Sequence, residues 1–190
     1  NHIAQATASY GRIAEVLKAK EKNETGKLKN KIKGDVEVKN ITHIYGEKSV
    51  LKNVSFAAKA GSKTAIIGPT AAGKTQLLYL LIGLTHPTKG SIKYDGKAID
   101  SYDKDALHQQ VGFVFQDSSI FNLTLRENIA FSDTVKDSDL DKALETAELT
   151  DFVNDLPDGL NTIVAERGSS LSGGQRQRMM LARALALNPK

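Results

Sequence analysis

The apolar positions divide the chain into a helical leader, a polar stretch and a long mixed body. Across residues 3–17, Ile3, Ala6, Tyr10, Ile13 and Leu17 recur at spacings of 3, 4, 3 and 4, which places them on one helical face. Residues 18–34 hold 7 lysines in 17 positions, with Leu28 and Ile32 the only large apolar groups. That composition predicts a solvated tether, too polar to pack into a core. Residues 35–45 (DVEVKNITHIY) then alternate and are rich in Val and Ile, and a second β-like run over 50–58 follows the Gly46 turn. A short apolar strand is predicted at 63–67, running into a glycine-bearing loop, with a buried helix over 74–84 behind it. Strands are predicted at 91–94, before the Asp95-Gly96 turn, and at 111–115; helices at 125–130 and 139–147. Residues 173–187 form the strongest helical pattern and stop at Asn188-Pro189. Strands alternating with helices predict an α/β core, with antiparallel strands ahead of it and a helical insertion between about 117 and 172.

Composition narrows the classes. The chain has 190 residues, 40% hydrophobic and 25% charged, an ordinary globular balance for one domain with a sizeable core. It has no cysteine, which excludes disulfide scaffolds and cysteine-ligated metal sites. The longest apolar run, 77–84, falls well short of the roughly 20 residues a membrane-spanning helix needs. No secretory signal pattern opens the chain, and Asn1 in place of Met reads as an excerpt of something longer. The net charge of +4 raises nucleic acid or an anionic surface as partners. However, residues 1–39 hold 9 Lys/Arg against 5 Asp/Glu, while residues 40–190 hold 17 of each. The body is neutral, so no nucleic-acid partner is expected. His2, His43, His86 and His108 form no ligand spacing and receive no role.

Gly68-Pro69-Thr70-Ala71-Ala72-Gly73-Lys74-Thr75 fits the phosphate-loop pattern G-x-x-x-x-G-K-[ST], with Gln76 next in line. Glycines let the backbone curl so that successive N–H groups face phosphate oxygens, and the helix that follows adds its positive end. Lys74 brings a mobile charge to the β/γ phosphates, and the Thr75 hydroxyl is placed to ligate Mg²⁺. The alternative is a glycine-containing strand-to-helix turn with no ligand. Ala71 departs from the glycine common in such loops: a positive φ there costs about 1 kcal/mol or more, a negative φ nothing.

Leu171-Ser172-Gly173-Gly174-Gln175 heads the strongest helix. One reading is a capping box between Ser172 and Gln175. That device needs no glycines, each of which lowers helix propensity by about 1 kcal/mol. Bare glycines at a helix N-terminus suit the close approach of an anion, and Arg176 and Arg178 point the same way.

The phosphate loop followed about a hundred residues later by LSGGQ resembles the nucleotide-binding domain of ATP-binding cassette (ABC) transporters of the exporter type, from about residue 35 onward. The resemblance implies a P-loop NTPase (RecA-like) α/β core with an antiparallel β subdomain and an α-helical subdomain, C-terminally incomplete. It implies ATP and Mg²⁺ as cofactors, with residues 68–76 and Ser172, Gly173, Gly174 and Gln175 binding nucleotide. Tyr45 looks like the aromatic that stacks on adenine. Gln116, closing VGFVFQ, looks like the glutamine that approaches Mg²⁺ and the attacking water, so Lys74 and Gln116 carry catalysis and Thr75 and Gln116 the metal. Residues 121–131 resemble the segment facing transmembrane coupling helices, and Ala165-Glu166-Arg167-Gly168 resembles the exporter-type X-loop.

The resemblance further implies a head-to-tail dimer with a second nucleotide-binding domain, in which Ser172 and the Gly174 amide reach the γ-phosphate. Transmembrane domains of the same or a partner chain would complete a motor on the cytoplasmic face of the cell membrane. Residues 1–22 then look like a cytoplasmic helix after the last transmembrane helix, 23–34 like a Lys-rich linker, and 35–190 like the incomplete domain. The Walker B aspartate, the catalytic glutamate and the switch histidine are expected beyond Lys190, so the full protein is expected to be an ATPase and the 190-residue piece inactive alone. The alternatives are a soluble ABC ATPase without a membrane partner, or a nucleotide-binding module that does not hydrolyse.

Overall fold

The computed structural model describes residues 10–11, 13–14, 17–18, 26–116, 119–132, 134–165 and 168–190. Four strands form an antiparallel sheet in the order β2-β1-β3-β4. β1 (Val36–Tyr45) pairs with β2 (Lys48–Ala58) on one edge and with β3 (Lys89–Tyr94) on the other. The register of β1 shifts after Val38, where Asn40 takes φ 50 and its N–H donates to Ser55 Oγ at 2.8 Å. This bulge re-phases the strand, so that Val38, Ile41 and His43 are all buried although 38 and 41 differ in parity. β3 turns into β4 (Lys97–Ala98) through Asp95 and Gly96, both at positive φ, the geometry a two-residue hairpin with right-handed twist requires.

Helix α1 (Lys74–Leu81) lays Leu77 and Leu80 on this sheet, forming a core with Val38, Ile41, Leu51 and Ile92. Two buried tyrosines tie it together: Tyr102 Oη donates to the Tyr94 carbonyl at 3.0 Å, and Tyr94 Oη to the Leu81 carbonyl at the end of α1 at 2.8 Å. A short helix, α2 (Lys104–His108), is capped by the Asp103 carboxylate. The helical half consists of α3 (Leu125–Ile129), α4 (Asp137–Thr146), α5 (Thr150–Asn154) and α6 (Gly173–Leu185). It buries a separate core that includes Leu125, Ile129, Leu140, Leu144, Leu149 and Met179. The antiparallel sheet and the helical subdomain thus stand as the sequence predicts. No helix among the described residues is long and apolar enough to cross a membrane.

Three expectations need correction or limits. The runs 63–67 and 111–115, predicted as strands, are not built into the sheet, and Ile67 is 91% exposed. Strand propensity reports fit to a pleated surface beside a partner, and the pairing of β1 through β4 leaves both runs outside it. Residues 111–115 are instead held through side chains, the Phe113 and Phe115 rings meeting edge to face at 4.5 Å and both lying near Tyr79.

The polar stretch is not a solvated tether where it is described. Ile32 is only 5% exposed and joins the sheet-side core, with Leu28 packed against it. The Leu28 N–H donates to the Ser101 carbonyl (3.0 Å) and the Asp103 N–H to the Leu28 carbonyl (2.9 Å). The Asp95 carboxylate accepts from the N–H groups of Lys33, Gly34 and Asp35. Lysines at 27, 29, 31 and 33 point outward while 28 and 32 turn in, so the strap buries what little it has. The predicted leader helix over 3–17 and the pair Glu166 and Arg167 lie largely or wholly outside the described residues.

Candidate functional site

The loop ahead of α1 is shaped by its backbone. Gly73 takes φ 87, and a Cβ there would sit 2.9 Å from Val50 O, Val50 Cγ1 and Leu51 Cδ2, so β2 leaves room only for glycine. Ala71 takes φ 64, in the left-handed region that alanine disfavours, which settles the alternative left open at that position. The Ala72 N–H donates to the Pro69 carbonyl at 3.3 Å, closing a turn over Thr70. Lys74 Nζ reaches back to the carbonyls of Gly68 (2.8 Å) and Pro69 (2.7 Å), holding its charge inside the loop.

The start of α1 has no side-chain cap and no acidic residue in its first turn. Its leading N–H groups therefore present partial positive charge beside the Lys74 ammonium, a donor set that fits a phosphate chain. Ala71 through Gln76 line a cleft of about 270 Å³ with Val50 and with Tyr45, which is 67% exposed at the end of β1.

Thr75 also lines a second cleft, of about 490 Å³, with Tyr79, Gln116, Ser119, Phe121 and Arg183. The structure thereby brings Thr75 and Gln116 to the wall of one cleft. It also reveals a residue that sequence reasoning passed over. Arg183, on α6, is half-buried; its Nε donates to the Asn128 carbonyl (2.7 Å), its Nη1 to the Ser119 carbonyl (3.0 Å), and its guanidinium lies 4.5 Å from the Phe131 ring centre. Burial draws its pKa below the ordinary arginine value. Asn128 is fully buried, its amide donating to the carbonyls of Phe121, Leu123 and Thr124 while its Oδ1 accepts from the Phe121 N–H. The available signal was an arginine inside the otherwise apolar stretch MMLARALAL.

Ser172 caps α6. Its Oγ accepts from the Gln175 N–H (3.2 Å), while its own N–H donates to Gln175 Oε1 (2.8 Å), a complete capping box. Arg176 bonds to the carbonyls of Gly168 and Leu171, so its presence near the helix start has an internal reason and does not require an anion. The glycines have no such reason. The nearest atom to a Cβ built on Gly173 or on Gly174 is an arginine nitrogen 4.0 Å away, so packing within the chain leaves space for a larger residue at both. Ser172, Gly173, Gly174 and Gln175 do not line the two clefts.

These features define the class: a P-loop nucleotide-binding domain in which a helical half carries a second, glycine-bare helix N-terminus. The family follows from comparison with known sequences. The sequence model of the ABC transporter family matches residues 51–190, and the chain belongs to that family. It is 37% identical over 195 residues to an uncharacterized ABC transporter ATP-binding protein, YknU, of Bacillus subtilis, covering all of this chain and 33% of that protein. It is 39% identical over 176 residues to the ATP-dependent lipid A-core flippase of Photobacterium profundum, covering 90% of this chain and 30% of the flippase. Among solved structures, a bacterial Atm1-family ABC exporter with ATP bound superimposes with a TM-score of 0.85 at 34% identity, covering 98% of this chain and 34% of the exporter. The chain thus spans about a third of the length of these relatives.

Proposed function

We propose that this chain is the ATP-binding motor of a membrane exporter, working on the cytoplasmic face of the cell membrane with transmembrane domains of its own or a partner chain. The observation that carries the reading is that Thr75 lines both clefts, one holding the phosphate loop beside Tyr45 and the other holding Gln116. Tyr45 offers an exposed ring for adenine. The Lys74 ammonium would move from the Gly68 and Pro69 carbonyls to the β/γ phosphate oxygens. Loop amides from 68 to 76 and the start of α1 would cradle the phosphates. Thr75 and Gln116 would hold Mg²⁺, which when bound neutralises charge on the β/γ oxygens.

The exposed Gly173 and Gly174, with Ser172 and Gln175, support a head-to-tail dimer in which the α6 start of one copy closes over nucleotide held by the other. Two of the three named relatives are a flippase and an exporter, which favours the membrane reading over a soluble ATPase. The described residues lining the two clefts include no carboxylate, so the groups on hand bind and orient but offer no strong general base. We infer that the 190-residue chain binds ATP without turning it over, and that the full-length protein hydrolyses it.

Titration with a fluorescent ATP analogue tests the binding, with Lys74→Ala expected to weaken affinity at least about tenfold through loss of a charge-assisted contact. No measurable affinity in the unmutated chain, or equal affinity in the variant, would overturn the reading. ATP turnover by the 190-residue chain that disappears in Lys74→Ala would overturn the inference of inactivity alone.

A further inference from the structure

Arg183 lies about 15 Å along α6 from the bare-glycine start, on one unbroken helix. Its Nε donates to the Asn128 carbonyl near the end of α3, its Nη1 to the Ser119 carbonyl, and its Nη2 reaches Asn128 Oδ1 at 3.4 Å. The same guanidinium stands over the Phe131 ring. Asn128 in turn holds Phe121 on both sides of its backbone, accepting its N–H and donating to its carbonyl, each at 2.9 Å. One residue past Arg183, the Ala184 carbonyl stands 2.8 Å from where a Cβ on Gly112 would lie, so this turn of α6 is also wedged against the Gly112 backbone.

The two rings held in this way face outward. Phe121 is 46% and Phe131 55% exposed, and they meet edge to face with centres 5.4 Å apart. Beneath them, α3 and α6 share an apolar core that includes Leu125, Ile129, Met179 and Ala182. Apolar contact is non-directional and lets packed surfaces shift, whereas hydrogen bonds to fixed carbonyls set an angle and a register. A buried amide and a half-buried guanidinium carry a desolvation cost that an apolar pair of the same shape would avoid. Neither ring is buried in the core, so the effect of this polar network is to fix an exposed aromatic pair.

We propose that Arg183 is a positioning residue that locks the Phe121–Phe131 pair to α6, so that displacement of the Ser172–Gln175 end carries the pair with it. The proposal rests on the reading that the α6 start closes over nucleotide held by a second copy. Each link is a direct contact: the helix joins its start to Arg183, Arg183 bonds Ser119 and Asn128, and Asn128 bonds Phe121. The exposed rings then report, to the transmembrane domains of the proposed function, whether nucleotide is engaged at the far end of the helix.

The test is amide hydrogen exchange on the full-length protein, with and without a saturating non-hydrolysable ATP analogue and Mg²⁺, and with melting temperature recorded for each variant. In the unmutated protein the analogue is expected to slow exchange over residues 172–176 and over residues 119–132. Arg183→Met removes every donor; the slowing over 119–132 is then expected to fall at least about fivefold, while that over 172–176 stays within about twofold. Arg183→Lys keeps a charge at the Phe131 ring and should recover part of the response. It stands as the test if Arg183→Met does not fold, with an expected loss over 119–132 of at least about twofold. A response in the variants equal to that of the unmutated protein in both segments overturns the proposal, and so does an equal loss in both. Exchange over 119–132 at the rate of an unstructured chain, without analogue, also overturns it, because the segment would then be unfolded and not untied. An unmutated protein whose 172–176 amides ignore the analogue overturns the reading of closure over nucleotide, whereas a response there with none over 119–132 overturns only the role of Arg183.

Discussion

Ala71 holds a conformation that glycine would hold at no steric cost. At φ 64 its Cβ crowds the following carbonyl, a penalty of about 1–2 kcal/mol, against which alanine recovers about 0.4–1 kcal/mol by restricting the unfolded chain. Ala71→Gly is therefore expected to stabilise the chain by roughly 0.5–1 kcal/mol, read as a higher urea midpoint at unchanged slope. An unchanged or lower midpoint would mean that the loop relaxes around alanine. Gly73, two residues on, allows no reverse exchange, because both its φ of 87 and the 2.9 Å approach to Val50 oppose any side chain. Tyr94 carries a different residue-scale effect. Burial pushes its phenol up to about 12, above an unfolded value near 10. The native state therefore holds this proton more tightly, so the associated stability is complete below pH 10 and is lost as pH rises through about 12. Unfolding free energies from urea titrations of the unmutated chain and Tyr94→Phe, followed from pH 9 to 12, should diverge by up to about 1.4 kcal/mol per pH unit. Parallel curves would show that the Tyr94 proton is not held.

At the scale of elements, α6 trades its own stability for an open N-terminus. Ser172 and Gln175 cap it fully, yet Gly173 and Gly174 follow, although a side chain would fit at either. Gly174→Ala is expected to raise the stability of the chain by about 0.5–1 kcal/mol while weakening ATP-dependent self-association of the full-length protein. Greater stability with undiminished association would remove the reason proposed for the glycine. α6 was legible because its signals are local: the serine–glutamine spacing, the apolar stripe and Asn188-Pro189 all lie within a few residues. The strap was not. Leu28 and Ile32 sit among lysines, and what draws them in is Ser101, Asp103 and Gln110, some seventy residues away. The strands at 63–67 and 111–115 failed for a related reason, since apolar composition states a wish for neighbours but does not supply them. The clefts divide likewise: the phosphate loop was readable as a contiguous motif, whereas Arg183 and Asn128 acquire meaning only once α3 and α6 meet.

Across the whole molecule, the two hydrophobic cores share no residue. One is built from the sheet and α1, the other from α3 through α6. Between the described parts run the Gly112 wedge on Ala184, the bond from Lys190 to Gln110, and the contact of Tyr79 with Phe113 and Phe115. All of these pass through residues 110–115, so that segment is the seam. Burial energy scales with the core a residue belongs to, and sites without shared partners add independently, so the halves should lose stability separately. Leu140 is almost fully buried in the helical core and Ile41 completely buried in the sheet core. Leu140→Ala is expected to cost about 2–5 kcal/mol in the protection of α4 and α6 amides against hydrogen exchange, and under about 0.5 kcal/mol in β1 and β2. Ile41→Ala should reverse that pattern. Equal loss in both halves from either substitution would show one cooperative unit, and the seam would then be a rigid weld. Separate loss makes the seam a joint between two independently stable cores. Gln116 stands at its end, on the wall of the cleft it shares with Thr75 and with Arg183 of the helical half.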